Sequence, residues 1–275
     1  MKCADLHLHT IFSDGTYSPE KLLLQAHKKG LSAISVTDHD TVEAVEQSIL
    51  LGKDLGIEVL PGIELTAECD GVEIHLLGYL FDYKNQALLE KLSVLKQNRV
   101  ERIYKISDKL KGLGVELNPE SVFELASSGT VGRLHVARAM VKEKIVNTVF
   151  EAFRNYIGDQ GPGYVCGFRF SPQDAIKLIK QAGGIPVLAH PYTVRRDELI
   201  PELIGYGLMG LEVYYSEHTQ SMINYYSGLV KQYNLLATGG SDCHGNAKPE
   251  VKIGSVKIPY ELVNKLKAAK ENLEK

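Results

Sequence analysis

The chain has 275 residues, of which 44% are hydrophobic and 24% charged, and a formal net charge of −3. That composition supports a packed core rather than disorder, and the missing basic excess excludes non-specific binding to a nucleic-acid backbone. No apolar run approaches the roughly 20 residues a membrane helix needs, and Cys3, Cys69, Cys166 and Cys243 form no Cys-x-x-Cys pair, so a cytoplasmic protein with reduced thiols is expected.

The first strand is expected over Cys3 to Leu8. A helix follows from Ser18 to Lys29, with Ser18 as its cap, Pro19 in the first helical position and Gly30 at its end. The second strand, Ala33 to Val36, leads to a helix from about Val42 to Leu55 that stops at Gly56, and Ile57 to Leu60 reads as a third strand. A further strand, Val72 to Leu77, follows with no helix between. From about Asn85 to Leu113 a long charged helix carries Leu88, Leu92, Leu95, Ile103, Ile106 and Leu110, and shorter helical pieces run to about Tyr156. Residues 81–165 therefore read as a helical insertion into a core made of residues 1–80 and 166–275. The β-α rhythm resumes with the Ser171-Pro172 cap, a helix to Ala182, and strands at Ile185 to Ala189, Leu211 to Val213 and Leu235 to Thr238. A last helix follows Pro259.

Strands separated by helices and closed by Gly-rich turns imply an α/β fold with a mainly parallel sheet, as a barrel or a doubly wound layer. The polar residues favour the barrel. His7 and His9 end the first strand, His39 follows the second, Glu64 follows the third, and His190, Asp242 and His244 lie just past later strands. In barrels the C-terminal rim of the strands is where reactive groups gather. A lone histidine is more often a hydrogen-bonded structural residue, and a lone aspartate after a strand is often a cap. Here six of the nine histidines, with Asp14, Glu64 and Asp242, fall at or beyond strand ends in separate β-α units. His7 and His9, two apart on an extended segment, project to the same side and can chelate one ion. Mixed imidazole and carboxylate ligands suit Zn²⁺, Mn²⁺ or Fe²⁺ better than Mg²⁺ or Ca²⁺.

Asp5-Leu6-His7-Leu8-His9-Thr10, Ser13-Asp14-Gly15, Thr37-Asp38-His39-Asp40, Pro61-Gly62-Ile63-Glu64, His75, Ala189-His190-Pro191 and Ser241-Asp242-Cys243-His244 resemble, in order, the motifs of the PHP (polymerase and histidinol phosphatase) superfamily. The resemblance implies a distorted (β/α)7 barrel with a metal centre of two to three divalent ions at its C-terminal rim. It implies that His7, His9, Glu64 and Asp242 hold one ion. Glu64 would bridge to a second held with His75 and His190, and Asp14, His39 and His244 would hold the third. Asp14, where some relatives carry histidine, tilts that site towards Mn²⁺ or Fe²⁺. Ions so placed activate a water to hydroxide, held through Glu64, His75, His190 and Asp242, for attack on phosphorus. Asp5 is expected to orient a ligating histidine, and Asp38, Asp40 and His218 to act as caps or supporting partners rather than as the general acid.

In the insertion, Gly129-Thr130-Val131-Gly132-Arg133-Leu134-His135 opens a helix, which places Arg133 and His135 at a helix N-terminus, where anions are favoured. A solvated arginine and a surface histidine would look the same. The Gly-Arg-x-His pattern is similar to that of the nucleotide-directed branch of the superfamily, nucleoside 3′,5′-bisphosphate phosphatases and a ribonuclease acting on 5′-phosphorylated oligonucleotides, which implies that Arg133 and His135 grip a substrate phosphate. Ser13 could bond a phosphate or cap its turn. Tyr192, Tyr164 and Phe168 could stack a base, although aromatics at this density usually just pack, and Tyr214, Tyr215, Tyr225, Tyr226 and Tyr233 read as packing between barrel and helix. The expected substrate is a phosphorylated small molecule, nucleotide or short oligonucleotide, with no membrane, duplex or protein partner. A small-metabolite phosphatase such as one acting on histidinol phosphate, and a non-catalytic binding module, are the alternatives.

Overall fold

A computed structural model of the chain describes residues 2–127, 129–166 and 170–274. In chain order the elements are β1 (Cys3–Leu8), α1 (Pro19–Lys28), β2 (Ala33–Val36), α2 (Val45–Leu55), β3 (Glu58–Cys69), β4 (Val72–Tyr79), α3 (Gln86–Gly112), α4 (Pro119–Ala126), α5 (Arg133–Lys142), α6 (Val149–Ala152), α7 (Pro172–Gln181), β5 (Ile185–Leu188), α8 (Pro191–Val194), α9 (Ile200–Tyr206), β6 (Gly210–Tyr215), α10 (Gln220–Gln232), β7 (Leu236–Gly240), β8 (Ile258–Pro259) and α11 (Tyr260–Leu273). A π-helical turn, Phe153–Ile157, continues α6. No helix among the described residues is long and apolar enough to cross a membrane.

The sheet order is β7-β6-β5-β4-β3-β2-β1-β8. It curls until β7 meets β1: Asp242 N–H donates to His7 O at 2.9 Å and His9 N–H to Cys243 O at 3.1 Å, with a parallel bridge between Leu8 and Cys243. The expected barrel is present, and its distortion has a specific source. β1, β2 and β3 pair in parallel, as do β5, β6 and β7, but β4 runs antiparallel to both β3 and β5. The two-residue β8 adds an antiparallel edge beside β1.

The third strand is longer than expected because Pro61-Gly62, a pair that usually ends a strand, here marks a change of partner. β2 pairs with β3 up to Pro61, and from Gly62 onward β3 pairs with β4. The crossing is tight: a Cβ on Gly62 would lie 2.0 Å from Ser35 Oγ. The hairpin then closes at Asp70 and Gly71, whose φ values of 51° and 78° suit a two-residue turn with the strand twist. Glu64 therefore lies within β3, not after it. Successive residues on a strand face opposite sides, so Glu64 and Thr66 share a face with their cross-strand neighbours Leu77 and His75.

Leu65, Ile74 and Leu76 face the other way, into a core shared with Ile176 and Ile179 of α7. Leu88, Leu92 and Leu95, on the first half of α3, belong to that same core. The second half, Ile103, Ile106 and Leu110, packs with Val122, Val136, Ala137 and Met140 of α4 and α5 in a separate cluster. α3 is thus the beam joining the two, and α5 hangs from it over the barrel mouth.

Candidate metal centre

Glu64 is the hub of the site. It is 1% exposed, and its Oε2 lies 3.2 Å from His7 Nε2, 3.2 Å from His9 Nε2 and 3.3 Å from His39 Nδ1. Its Oε1 lies 2.9 Å from His75 Nδ1 and 3.1 Å from His190 Nε2. Asp242 closes the quartet, with Oδ1 at 3.4 Å from His7 Nε2 and 3.1 Å from His9 Nε2. On the other side of His9, Asp14 faces His244 Nε2 at 3.1 Å and His39 Nε2 at 3.7 Å. Three sets can each hold an ion, with ligand atoms within 4.8 Å of one another: His7, His9, Glu64 and Asp242; His9, Asp14, His39 and His244; and His39, Glu64 and His75. Eight of the nine residues expected from the sequence fall in these sets; His190 is in none of them, though its Nε2 faces Glu64 Oε1. The divisions differ slightly, since His9 also faces the Asp14 set, and His39 sits between that set and Glu64.

These donors fit metal ions on their own geometry. His9 Nε2, Asp14 Oδ1, His39 Nδ1 and His75 Nδ1 are buried without a well-formed hydrogen bond, although each faces the cluster. Buried polar atoms are nearly always satisfied, and an ion at the focus of the set satisfies them. Burial alone would raise Glu64, Asp14 and Asp242, but the surrounding histidines, and Lys248 at Asp242, hold all three well below the usual carboxylate range. Burial alone would also lower the histidines. Glu212, Glu64 and Asp242 raise His7 well above its ordinary value, Asp242 and Glu64 raise His9 to about 9, and Glu64 and Glu73 raise His75 to about 10. In the ion-free cluster the three carboxylates are thus ionised and His7, His9 and His75 carry protons, whereas burial lowers His39 well below the ordinary imidazole value and lowers His244. Two of the candidate ligands also stand at positive φ, His190 at 25° and Asp242 at 57°, a strained backbone that persists where the surroundings enforce it.

Supporting partners missed in the sequence fix the rings. Glu212, buried in β6, faces His7 Nδ1 at 2.9 Å and accepts His190 N–H at 2.8 Å. Glu73 faces His75 Nε2 at 2.9 Å, and Thr193 Oγ1 faces His190 Nδ1 at 2.8 Å. Lys248 Nζ and the Tyr215 hydroxyl contact Asp242 Oδ2 at 3.1 and 3.2 Å.

A cavity of about 370 Å³ joins this centre to α5. It is lined by Asp14, His39, Glu64, His75, His190, Asp242 and His244 together with Arg102, Gly132, Arg133 and Asp159. Arg133 Nη2 lies 3.1 Å from Glu73, its Nη1 lies 2.6 Å from Asp159, and Arg102 Nη2 lies 2.8 Å from Glu73.

Several expected roles are corrected here. His135 does not line the cavity. Burial lowers its pKa to about 4, so the ring is neutral, and its Nδ1 accepts the Gly132 N–H at the start of α5. Ser13 donates to Asp38 Oδ1 at 2.5 Å rather than facing the cavity. Tyr192 packs at the edge of the main core. Asp5 reaches the backbone N–H of His7, not its ring, and is committed to Ser241 and Gly254; the orienting carboxylate is Glu212. Tyr215 is not mere packing, because it lines the cavity. Tyr164 lies against Arg133 and Arg102, with ring-to-guanidinium distances of 5.2 and 5.6 Å, and Phe168 lies outside the described residues. Asp38 and Asp40 act as supports, Asp38 for Thr10 and Ser13, Asp40 for Arg99 and Thr66. His218 bonds Val213 O through Nδ1 and stacks on Tyr226.

The model of the PHP domain family matches residues 5–159. The chain is 30% identical to a 5′-3′ exoribonuclease of Haemophilus influenzae over 87% of its length and 89% of that protein's. It is 31% identical to a phosphoribosyl 1,2-cyclic phosphate 1,2-diphosphodiesterase of Eggerthella lenta, over 88% and 94%, and 28% identical to a 3′,5′-nucleoside bisphosphate phosphatase of Chromobacterium violaceum, over 87% and 86%. Among solved structures, a protein of Bifidobacterium adolescentis assigned as a metal-dependent phosphoesterase superposes with a TM-score of 0.87 at 29% identity, over 96% of this chain and 94% of that one.

Proposed function

The chain belongs to the PHP domain family and is a metal-dependent hydrolase of phosphate esters, and from that premise we propose that its substrate is a ribonucleotide carrying a second phosphate. The reaction is removal of the 3′-phosphate of a nucleoside 3′,5′-bisphosphate, or of the 5′-terminal nucleotide of a short 5′-phosphorylated oligonucleotide. One observation carries this reading: a single cavity is lined both by the carboxylates and imidazoles of the candidate metal centre and by Arg102 and Arg133. A simple monophosphate has no second anion to offer the arginines. Helices within 81–165 serve in this reading as the cap that supplies it.

His7, His9, Glu64 and Asp242 would hold one divalent ion such as Mn²⁺, Fe²⁺ or Zn²⁺, the Asp14, His39 and His244 group would hold another, and Glu64 with His75 and His190 a third. When bound, such ions supply Lewis acidity, activate water as the nucleophile and neutralise charge on the phosphoryl oxygens. The chain's own side chains do the rest. Glu212 and Glu73 keep His7 and His75 turned inward by accepting the ring N–H on the far side. Lys248 adds a positive charge beside Asp242, where negative charge accumulates during phosphoryl transfer. Arg133, planar and multiply hydrogen-bonding, suits a phosphate better than a lysine would.

The Eggerthella lenta relative favours a second reading, ring opening of a phosphoribosyl cyclic phosphate, which also presents two phosphates. Steady-state turnover on adenosine 3′,5′-bisphosphate, a 5′-phosphorylated oligoribonucleotide, phosphoribosyl 1,2-cyclic phosphate and histidinol phosphate tests both. The first two should be preferred, and Arg133→Ala should raise KM for them far more than for histidinol phosphate. Equal KM effects on all four would contradict the role given to the arginines.

A further inference from the structure

Two carboxylates of different character hold Arg133. Glu73 is 10% exposed and shared, its Oε1 lying 3.1 Å from Arg133 Nη2 and 2.9 Å from His75 Nε2, while its Oε2 meets Arg102. Asp159 is 47% exposed, on the loop after the π-helical turn, and lies 2.6 Å from Arg133 Nη1. Among Arg102, Arg133, Glu73 and Asp159 two positive charges face two negative ones, so a phosphate arriving at Arg133 gains little until one carboxylate withdraws.

Which one withdraws follows from burial. An ion pair open to water contributes little, whereas Glu73 is buried and shared among His75, Arg102 and Arg133, so withdrawing it breaks three contacts of a buried ionic network at once. Arg133 does not depend on Asp159 for its position. Its Nη1 also donates to Ile157 O at 3.2 Å, and the rings of Phe153 and Tyr164 flank the guanidinium at 5.9 and 5.2 Å. With Asp159 gone, a pre-set N–H on the cavity side is released.

We propose that Asp159 is a specificity-determining placeholder: it occupies the arginine N–H to which the substrate's second phosphate binds, and that phosphate displaces it while Glu73 stays as the permanent anchor. The proposal rests on the reading that Arg133 receives this phosphate. The affinity for the second phosphate is then set by competition with an internal carboxylate, which disfavours weaker anions and lets a dianionic phosphate in.

Calorimetric binding of adenosine 5′-monophosphate to the Mn²⁺-loaded, full-length protein tests it, because this probe carries the gripped phosphate and no 3′-ester to hydrolyse. Asp159→Asn should tighten binding about three- to fivefold, the range of an exposed ion pair, and Asp159→Ser should do the same, whereas Arg133→Ala should weaken it. Weakening by Arg133→Ala with no tightening by either Asp159 variant would overturn the placeholder and leave the arginine's role standing. Unchanged binding by Arg133→Ala would overturn both.

Discussion

Glu212 Oε1 lies 2.9 Å from His7 Nδ1 with both side chains fully buried, so the ring that faces Glu64 and Asp242 is aimed from behind by a carboxylate on a different strand. Partners of this kind tune a metal ligand's orientation and basicity. Glu212→Gln keeps the volume and weakens the acceptor. Metal affinity should fall about 10- to 100-fold with little change in melting temperature, as read by titration of the metal-stripped protein with Mn²⁺. Wild-type affinity would show that His7 needs no such support.

Gly240 is where the barrel closes. A Cβ there would lie 2.3 Å from His7 N, so Gly240→Ala must push β7 away from β1 and move His7 with it. Overpacking costs about 1–3 kcal/mol. Urea unfolding should show that loss together with weaker Mn²⁺ binding; a loss of stability with unchanged metal affinity would mean that the seam and the site are independent.

Asp38 accepts from Thr10 N at 2.7 Å, Thr10 Oγ1 at 2.6 Å and Ser13 Oγ at 2.5 Å, all buried. Asp38→Ala strands those donors, at a cost of about 1–3 kcal/mol for each one left unsatisfied. The expected outcome is a large drop in melting temperature. A variant that keeps its melting temperature but loses turnover would instead make Asp38 a participant in the chemistry.

The protonation of the ion-free cluster gives a pH dependence with a definite sign. With pKa values raised to about 9 and about 10, His9 and His75 carry protons at neutral pH, and each must lose one to bind a metal. Metal uptake should therefore release protons, and apparent affinity should rise with pH up to that range. For the ion-free protein the sign reverses. Folded-state values above the ordinary 6.5 stabilise the fold fully below that pH, and the contribution is lost as pH rises through 9 to 10. Calorimetry in buffers of different ionisation enthalpy reads the released protons directly; none released at pH 7 would contradict these protonation states.

Most of the rim's histidines and carboxylates were legible because they sit in short motifs at or just past strand ends, although Glu64 lies within β3 and His75 within β4. Their supports were not, yet two carried a signal. Glu73-Ile74-His75 has the same i, i+2 spacing that groups His7 with His9, and Glu212 interrupts an apolar strand, where a lone charge needs a buried partner. Lys248 and Arg102 carried none, since a lysine in a loop and an arginine on a long charged helix look like solvated surface. The reversal of β4 was encoded in Cys69-Asp70-Gly71-Val72, a two-residue hairpin signal. The helices α8, α9 and α10 were missed. Of these, α8 is four residues long, and α10 carries tyrosines that propensity alone does not assign to a helix.

The most direct test is turnover of adenosine 3′,5′-bisphosphate by chelator-stripped protein, before and after Mn²⁺ is returned, for the wild type and for His75→Ala and Asp242→Ala. Activity absent after stripping, restored by the metal in the wild type and not restored in the two folded variants is the expected result. Full turnover by the stripped protein, or wild-type turnover by both variants, would contradict a metal centre built on Glu64 and its histidines.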